Sequence, residues 1–326
     1  MTATPATPAA HSAPAPSVPS VPSVPSVPSV VRPKRGDRGA RNPVGRAGYL
    51  FVSGYVLLLL AFGVLPTVYA VRLALTNSRG QYVGLGNFTR TFADYRFGPA
   101  FVHIGLYLLI WLVVLMVLVV LLALMLHGRM RRTASALRFL FYLPGALAGV
   151  ASVLLWLILL DPASSPVGGL LDALGWHTLA QVISPGHLPA LFTVIAFWTG
   201  AGGWIVIMYG ALNNIPDEIL EAARIDGAST LQIALRIQIP MLTKWIAYML
   251  ILAFAAGTQL FVEPQLVSTA SWGMIPDSWS PNQLSYQYAF QAGDFNGAAA
   301  LSVDLLLLGL GCAALVVFRA GLFDRD

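Results

Sequence analysis

Residues 101–126 read FVHIGLYLLIWLVVLMVLVVLLALML, a run without a single Asp, Glu, Lys or Arg. An α-helix rises 1.5 Å per residue, so about 20 such residues cross a ~30 Å hydrocarbon layer. Outward from this run the same character recurs in both directions. Six transmembrane helices are expected, at about 49–72, 101–126, 138–160, 188–212, 244–267 and 298–319. Over all 326 residues 57% are hydrophobic and 10% charged, against roughly 25% charged in an ordinary soluble domain. Backbone in lipid must satisfy its hydrogen bonds internally, and these runs lack the alternation of an outer-membrane barrel. The fold class is therefore an all-α membrane protein.

The net charge is +5, and its placement argues for a membrane topology and against nucleic acid. Arg32, Lys34, Arg35, Arg38, Arg41 and Arg46 precede the first span, which puts the N-terminus in the cytoplasm. Six crossings put the C-terminus there too. The second loop (Arg129, Arg131, Arg132, Arg138), the fourth (Arg224, Arg236, Lys244) and the tail (Arg319, Arg325) are basic, while the third and fifth contain no Lys or Arg. The first loop, with Arg79, Arg90 and Arg96, runs against this pattern. Counting Arg72 with it, fifteen of the nineteen basic residues fall inside and four outside.

Residues 1–47 form a separate segment, in which Ser-Val-Pro repeats four times from Ser17 to Pro28. Such a composition cannot bury a core, so a disordered cytoplasmic tail is expected ahead of a permease domain at 48–326. The first apolar run is too long and too far from the start for a cleaved secretory signal. The lone Cys312 lies within the last span, where no intrachain disulfide is possible.

The inside loop 213–243 carries the most information. Asn214 or Ile215 is placed to cap a helix, Pro216 suits its first position, and Asp217 and Glu218 suit the positive end of its dipole. Gly227 is placed to end that helix. Ser229 with Gln232 then forms a capping-box pattern that opens a second helix, which Pro240 interrupts. A helix, a tight glycine turn and another helix are expected at the cytoplasmic surface, as a plain connector or as a docking element.

The stretch Glu221-Ala222-Ala223-Arg224-Ile225-Asp226-Gly227-Ala228, followed by Ile237-Gln238-Ile239-Pro240, resembles the EAA loop of ATP-binding-cassette importer permeases. Val83-Gly84-Leu85-Gly86-Asn87-Phe88, with Phe97 and Ala100 beyond, looks like the outside segment before the second span in maltose-type and glycerol-phosphate-type permeases. Arg138 to Pro144, with Trp156 and Asp161-Pro162, is similar to the two ends of their third span. The resemblance implies a multi-pass subunit of the bacterial plasma membrane that moves a sugar or related polyol inward. It implies that Glu221, Ala222, Ala223, Asp226, Gly227, Ala228 and Pro240 couple to cytoplasmic ATPase subunits. It also implies a second, different permease subunit and an extracytoplasmic solute-binding protein. The chain itself would bind no cofactor and no metal, with ATP and Mg held by the partner ATPase.

Other residues set limits of their own. The two lysines, Lys34 and Lys244, do not follow a glycine, so the chain has no P-loop, and ATP has to be hydrolysed by another polypeptide. Histidines 103, 127, 177 and 187 lie at span ends or in outside loops without paired metal-ligand spacing, which argues against an enzyme. Glu263 and Asp304 are expensive in lipid and open the alternative of an ion-coupled secondary transporter. Counted up a continuous fifth helix, Glu263 stands about 30 Å from the cytoplasmic side. There it is either an interfacial carboxylate or, with Gln259, part of the substrate pathway. Trp198 and Trp204 flank Gly200-Ala201-Gly202-Gly203, either as packing residues or as further pathway contacts beside a locally unwound helix.

Overall fold

The structure, a computed structural model, describes residues 43–127, 131–146 and 149–319. It divides into two compact units, 1–56 and 57–326. In the first unit the described part is helical from Pro43. The expected tail 1–47 lies outside the described residues except for 43–47, which are helix. A proline's fixed φ and missing N–H suit a first helical turn, so the helix starts ahead of the apolar run.

Among the described residues of the second unit the regular structure is helical, apart from one isolated bridge between Thr76 and Tyr82. The helices used below are α1 (Leu65–Ala74), α2 (Gly86–Phe92), α3 (Phe97–His127), α4 (Arg131–Tyr142), α5 (Val150–Leu160), α6 (Leu188–Leu212), α7 (Asp217–Ile225), α8 (Thr243–Gly257), α9 (Val262–Ala270), α10 (Pro281–Tyr286) and α11 (Phe295–Arg319). Among the described residues four helices are long and apolar enough to span a membrane: Gly48–Ala74, Phe97–His127, Leu188–Leu212 and Phe295–Arg319. Two bent pairs, Ala136–Ala146 with Val150–Leu160 and Thr230–Met241 with Thr243–Gly257, bring the number to six if each counts as one crossing.

Two expected spans are not single helices. Span 138–160 is interrupted after Tyr142 by a 3-10 turn containing Pro144, and α5 starts only after Gly149, whose φ is +58°. Span 244–267 ends early, at Gly257, and the chain leaves the helix before α9 begins at Val262. The Asn282 side-chain amide donates to the Thr258 carbonyl at 2.9 Å, supplying a bond that a continuous helix would have made. The 30 Å count to Glu263 therefore fails, because it assumed one unbroken helix.

Prolines shape the helices that continue. A π-turn at Leu60–Val64 precedes Pro66, and another at Ala234–Gln238 precedes Pro240. Proline lacks an N–H and its ring clashes with the carbonyl four residues back, here Phe62 and Arg236. Widening the turn around that carbonyl lets the helix carry on. Pro240 thus does not end its helix. The 64° change of direction comes just after Met241.

The core is the contact between α3 and α6, the most extensive in the molecule. Ile104, Tyr107, Leu108, Trp111, Leu115, Val119, Ala123 and Leu126 form one buried stripe along α3. Phe192, Ile195, Ile205, Met208 and Leu212 answer it from α6. Between apolar helices in lipid the attraction is van der Waals packing, so close approach matters. Where α4 meets α6, Gly202 provides it: a Cβ there would collide with the Phe141 carbonyl and the Tyr142 backbone.

On the outer side, by the expected topology, buried side chains tie the first span to the last. The Asn87 amide donates to the carbonyls of Ala74 and Thr76, and Asn296 donates to those of Leu73 and Thr76. Arg90 pairs with Asp294 at 2.6 Å. Arg96 chelates Asp94 and reaches the Gln287 carboxamide oxygen, and Tyr288 donates its hydroxyl to Asp94. Two of the three arginines that ran against the charge pattern are therefore balanced by carboxylates.

The Arg96 guanidinium holds the Asp94 carboxyl well below its ordinary value near 3.8, against the effect of burial. Burial and the bond to Asp94 push Tyr288 up to about 12. A carboxyl depressed in the fold stabilises above its unfolded pKa, and loses that contribution as the pH falls. Asp94→Asn is expected to lower the thermal unfolding temperature at pH 7. The gap from wild type should begin to narrow below about pH 5 and close only at pH values well below 3, read from melting curves of the detergent-purified chain.

Candidate functional site

The inside loop forms the expected helix, turn and helix. Pro216 is the N-cap residue of α7, one place later than the expected cap, with Asp217 and Glu218 in the first turn. At the other end Gly227 has φ +82°, the Ala228 N–H donates to the Ala223 carbonyl at 2.9 Å and the Gly227 N–H to Arg224 at 3.0 Å. This pair of bonds reverses the chain within two residues and needs the left-handed conformation that glycine supplies. Ser229 and Gln232 then make a reciprocal capping box.

One face of this unit is fastened to the core. Leu220, Ile215 and Ile233 are buried in the same cluster as α3 and α6, and Ala223 and Ala228 pack against it. The close approach allowed by these two alanines is thus to the chain's own helices. The opposite face presents Glu221, Ala222, Asp226 and Gly227 to the exterior, and Pro240 is exposed near the end of the second helix. Ile225 is 86% exposed, an apolar side chain standing free beside charged ones.

The proposed pathway residues divide. Trp204, Gln259 and Glu263 line one cavity of about 390 Å³ with Tyr107, Trp111 and Thr199. An adjoining hollow of about 330 Å³ shares Gln259 and Phe261 and adds Asn282, Ser285 and Tyr286. Both open where α8 stops, so the break in the helix creates them. Trp198 is not with this group. It lies edge-on to Trp156 and lines an apolar hollow with Leu140, Phe141 and Pro144. The small-residue stretch from Gly200 to Gly203 stays helical throughout, and Gly202 serves close packing, not unwinding. Tyr107 and Trp111 escaped the sequence reading because they sit in the most apolar run. The available signal was their spacing of one helical turn, which sets a hydroxyl and an indole on one face.

A helical membrane protein with a loop packed by one face onto its core and a polar cavity between its helices has the makings of a transport subunit. Comparison with known proteins agrees: the family model described as "Binding-protein-dependent transport system inner membrane component" matches residues 120–324. The chain belongs to this family and is a multi-pass inner-membrane protein. Members are the permease subunits of ATP-binding-cassette transporters, which bind no cofactor themselves and leave ATP hydrolysis to a separate subunit. The ion-coupled alternative is not favoured by these findings.

Among relatives, the chain is 28% identical over 270 residues to the alpha-glucoside transport system permease protein AglF of Rhizobium meliloti (strain 1021), covering 80% of this chain and 78% of the relative. It is 23% identical to the arabinooligosaccharides transport system permease protein AraP of Halalkalibacterium halodurans, covering 85% and 88%. To the maltose/maltodextrin transport system permease protein MalF of Salmonella typhimurium it is 28% identical, spanning 73% of this chain and about half, 49%, of that one. A chain from the crystal structure of a bacterial ABC transporter that imports the acidic polysaccharide alginate superposes with a TM-score of 0.72 at 19% identity, covering 86% of this chain and 98% of that one. The same kind of transporter has been solved in complex with an alginate-pentasaccharide-bound periplasmic protein, with a TM-score of 0.70.

Gly202→Ala should destabilise the fold by about 1–3 kcal/mol, the usual cost of overpacking. Gly203→Ala, where an added Cβ meets nothing within 4 Å, should be close to neutral. Thermal unfolding of the two variants side by side checks this.

Proposed function

We propose that the chain forms half of an inward transport pathway for a sugar or related polyol. A second, different permease completes the pathway, two cytoplasmic ATPase subunits that hold ATP and Mg drive it, and an extracytoplasmic binding protein delivers the solute. In this reading each bent pair is one of six crossings, both termini are cytoplasmic, and 1–47 is a cytoplasmic tail. The distribution of basic residues supports that orientation.

The observation that carries the coupling role is the two-sided character of the loop. Its inner face belongs to the core, while its outer face offers Glu221 for a basic partner, Ala222 for close approach and Ile225 for burial. When the ATPase subunits close on ATP, a push on the outer face moves the core with it. Asp226, Gly227 and Ala228 set the path of the chain between the two helices, and Pro240 lies just before the second helix changes direction. The sugar reading is supported by the printed substrates of the relatives and by a cavity that combines indole and phenol rings with Gln259 and Glu263. Trp198, outside that cavity, has no pathway role in this reading.

Gly227→Val strains the turn by about 1–2 kcal/mol and displaces the outer face. The complex should still assemble, while solute moved per ATP hydrolysed in proteoliposomes falls about tenfold, a loss of ~1.4 kcal/mol of coupling. Normal uptake at normal ATP cost in that variant would contradict the proposed role of the loop.

A further inference from the structure

The two cavities that open after α8 have an electrostatic bias. Among the described residues that line them there is no Lys, Arg or His, and Glu263 supplies the one carboxyl group. The outer arginines are engaged or elsewhere: Arg90 with Asp294, Arg96 with Asp94, Arg72 at a separate hollow beside Tyr69 and Asn77, and Arg79 outside the lining of both cavities. Glu263 stands in the first turn of α9.

An anionic solute entering here would lose hydration, meet a carboxyl group and find no cation among this chain's described lining residues, a combination that is costly in a partly desolvated space. A neutral polyol loses less. Its hydroxyls can donate to Glu263 and Gln259, and its ring faces can lie on Trp111, Trp204 or Tyr107. The fold's solved counterpart that imports an acidic polysaccharide shows that this architecture also serves anions, so the bias lies in side chains and not in the fold.

We infer that Glu263 is a charge-selecting residue: the cavity accepts neutral, hydroxyl-rich solutes and rejects uronates. The inference rests on the pathway reading above and specifies its substrate class. The test is equilibrium binding of two labelled probes of equal length, neutral maltotriose and acidic trigalacturonate, to the purified permease–ATPase complex in nanodiscs. Wild type should bind maltotriose at least about tenfold more tightly than trigalacturonate. Glu263→Gln, which keeps the size and one acceptor, should narrow that ratio about fivefold or more by strengthening the acidic probe. Gln259→Ala should weaken maltotriose without admitting trigalacturonate, which separates charge selection from loss of shape. Equal binding of both probes to wild type, or an unchanged ratio in Glu263→Gln, would overturn the inference. Binding of neither probe to wild type would instead remove the sugar pathway itself, and the inference with it.

Discussion

A backbone carbonyl or N–H left without a partner in hydrocarbon costs several kcal/mol, and this constraint governs where the chain can stop being helical. Several departures from the regular helix are matched by a specific side chain or a local widening of the turn. Asn87 and Asn296 collect the carbonyls freed at the end of α1. Asn282 reaches the carbonyl of Thr258 where α8 stops. The π-turns ahead of Pro66 and Pro240 accommodate a missing N–H without ending the helix. The break after Gly257, once provided for in this way, makes room for a polar cavity that an unbroken helix would have filled.

The same packing joins the two candidate sites. Leu220 and Ile233 of the inside loop and Tyr107 and Trp111 of the cavity wall belong to one buried cluster built on α3 and α6. Protein interiors are nearly incompressible, so a displacement applied to one end of such a cluster is not absorbed within a few ångströms. A loop fastened by one face and free on the other is suited to receive force, and a cavity beside an interrupted helix is suited to change shape.

Much of this was legible in the sequence. Long uncharged runs identify spans because lipid imposes a length and a composition, and 188–212 coincides with α6 at both ends. Gly227, Ser229 and Gln232 announced their turn and cap because those conformations are local and few residues satisfy them. The interruption of 244–267 was not visible, since Thr258 to Phe261 contains no proline or charge, and the bond that permits the break comes from Asn282, more than twenty residues on. Which face of α3 is buried was equally hidden, because every face is apolar. Trp198 and Trp204 looked equivalent beside the same glycines, yet point to different hollows, a distinction that depends on the approach of Phe141 to Gly202.

The most direct test of the central claim, that the loop around Gly227 is where the ATPase takes hold, is site-specific photo-crosslinking from position 225. Replacing Ile225 by benzoylphenylalanine puts the probe on the most exposed apolar side chain of α7. Illumination of intact membranes should yield an adduct whose peptides come from a nucleotide-binding ATPase subunit, and the same probe at Leu220, buried in the core, should not. An adduct from position 225 to lipid alone, or to no polypeptide, would contradict it.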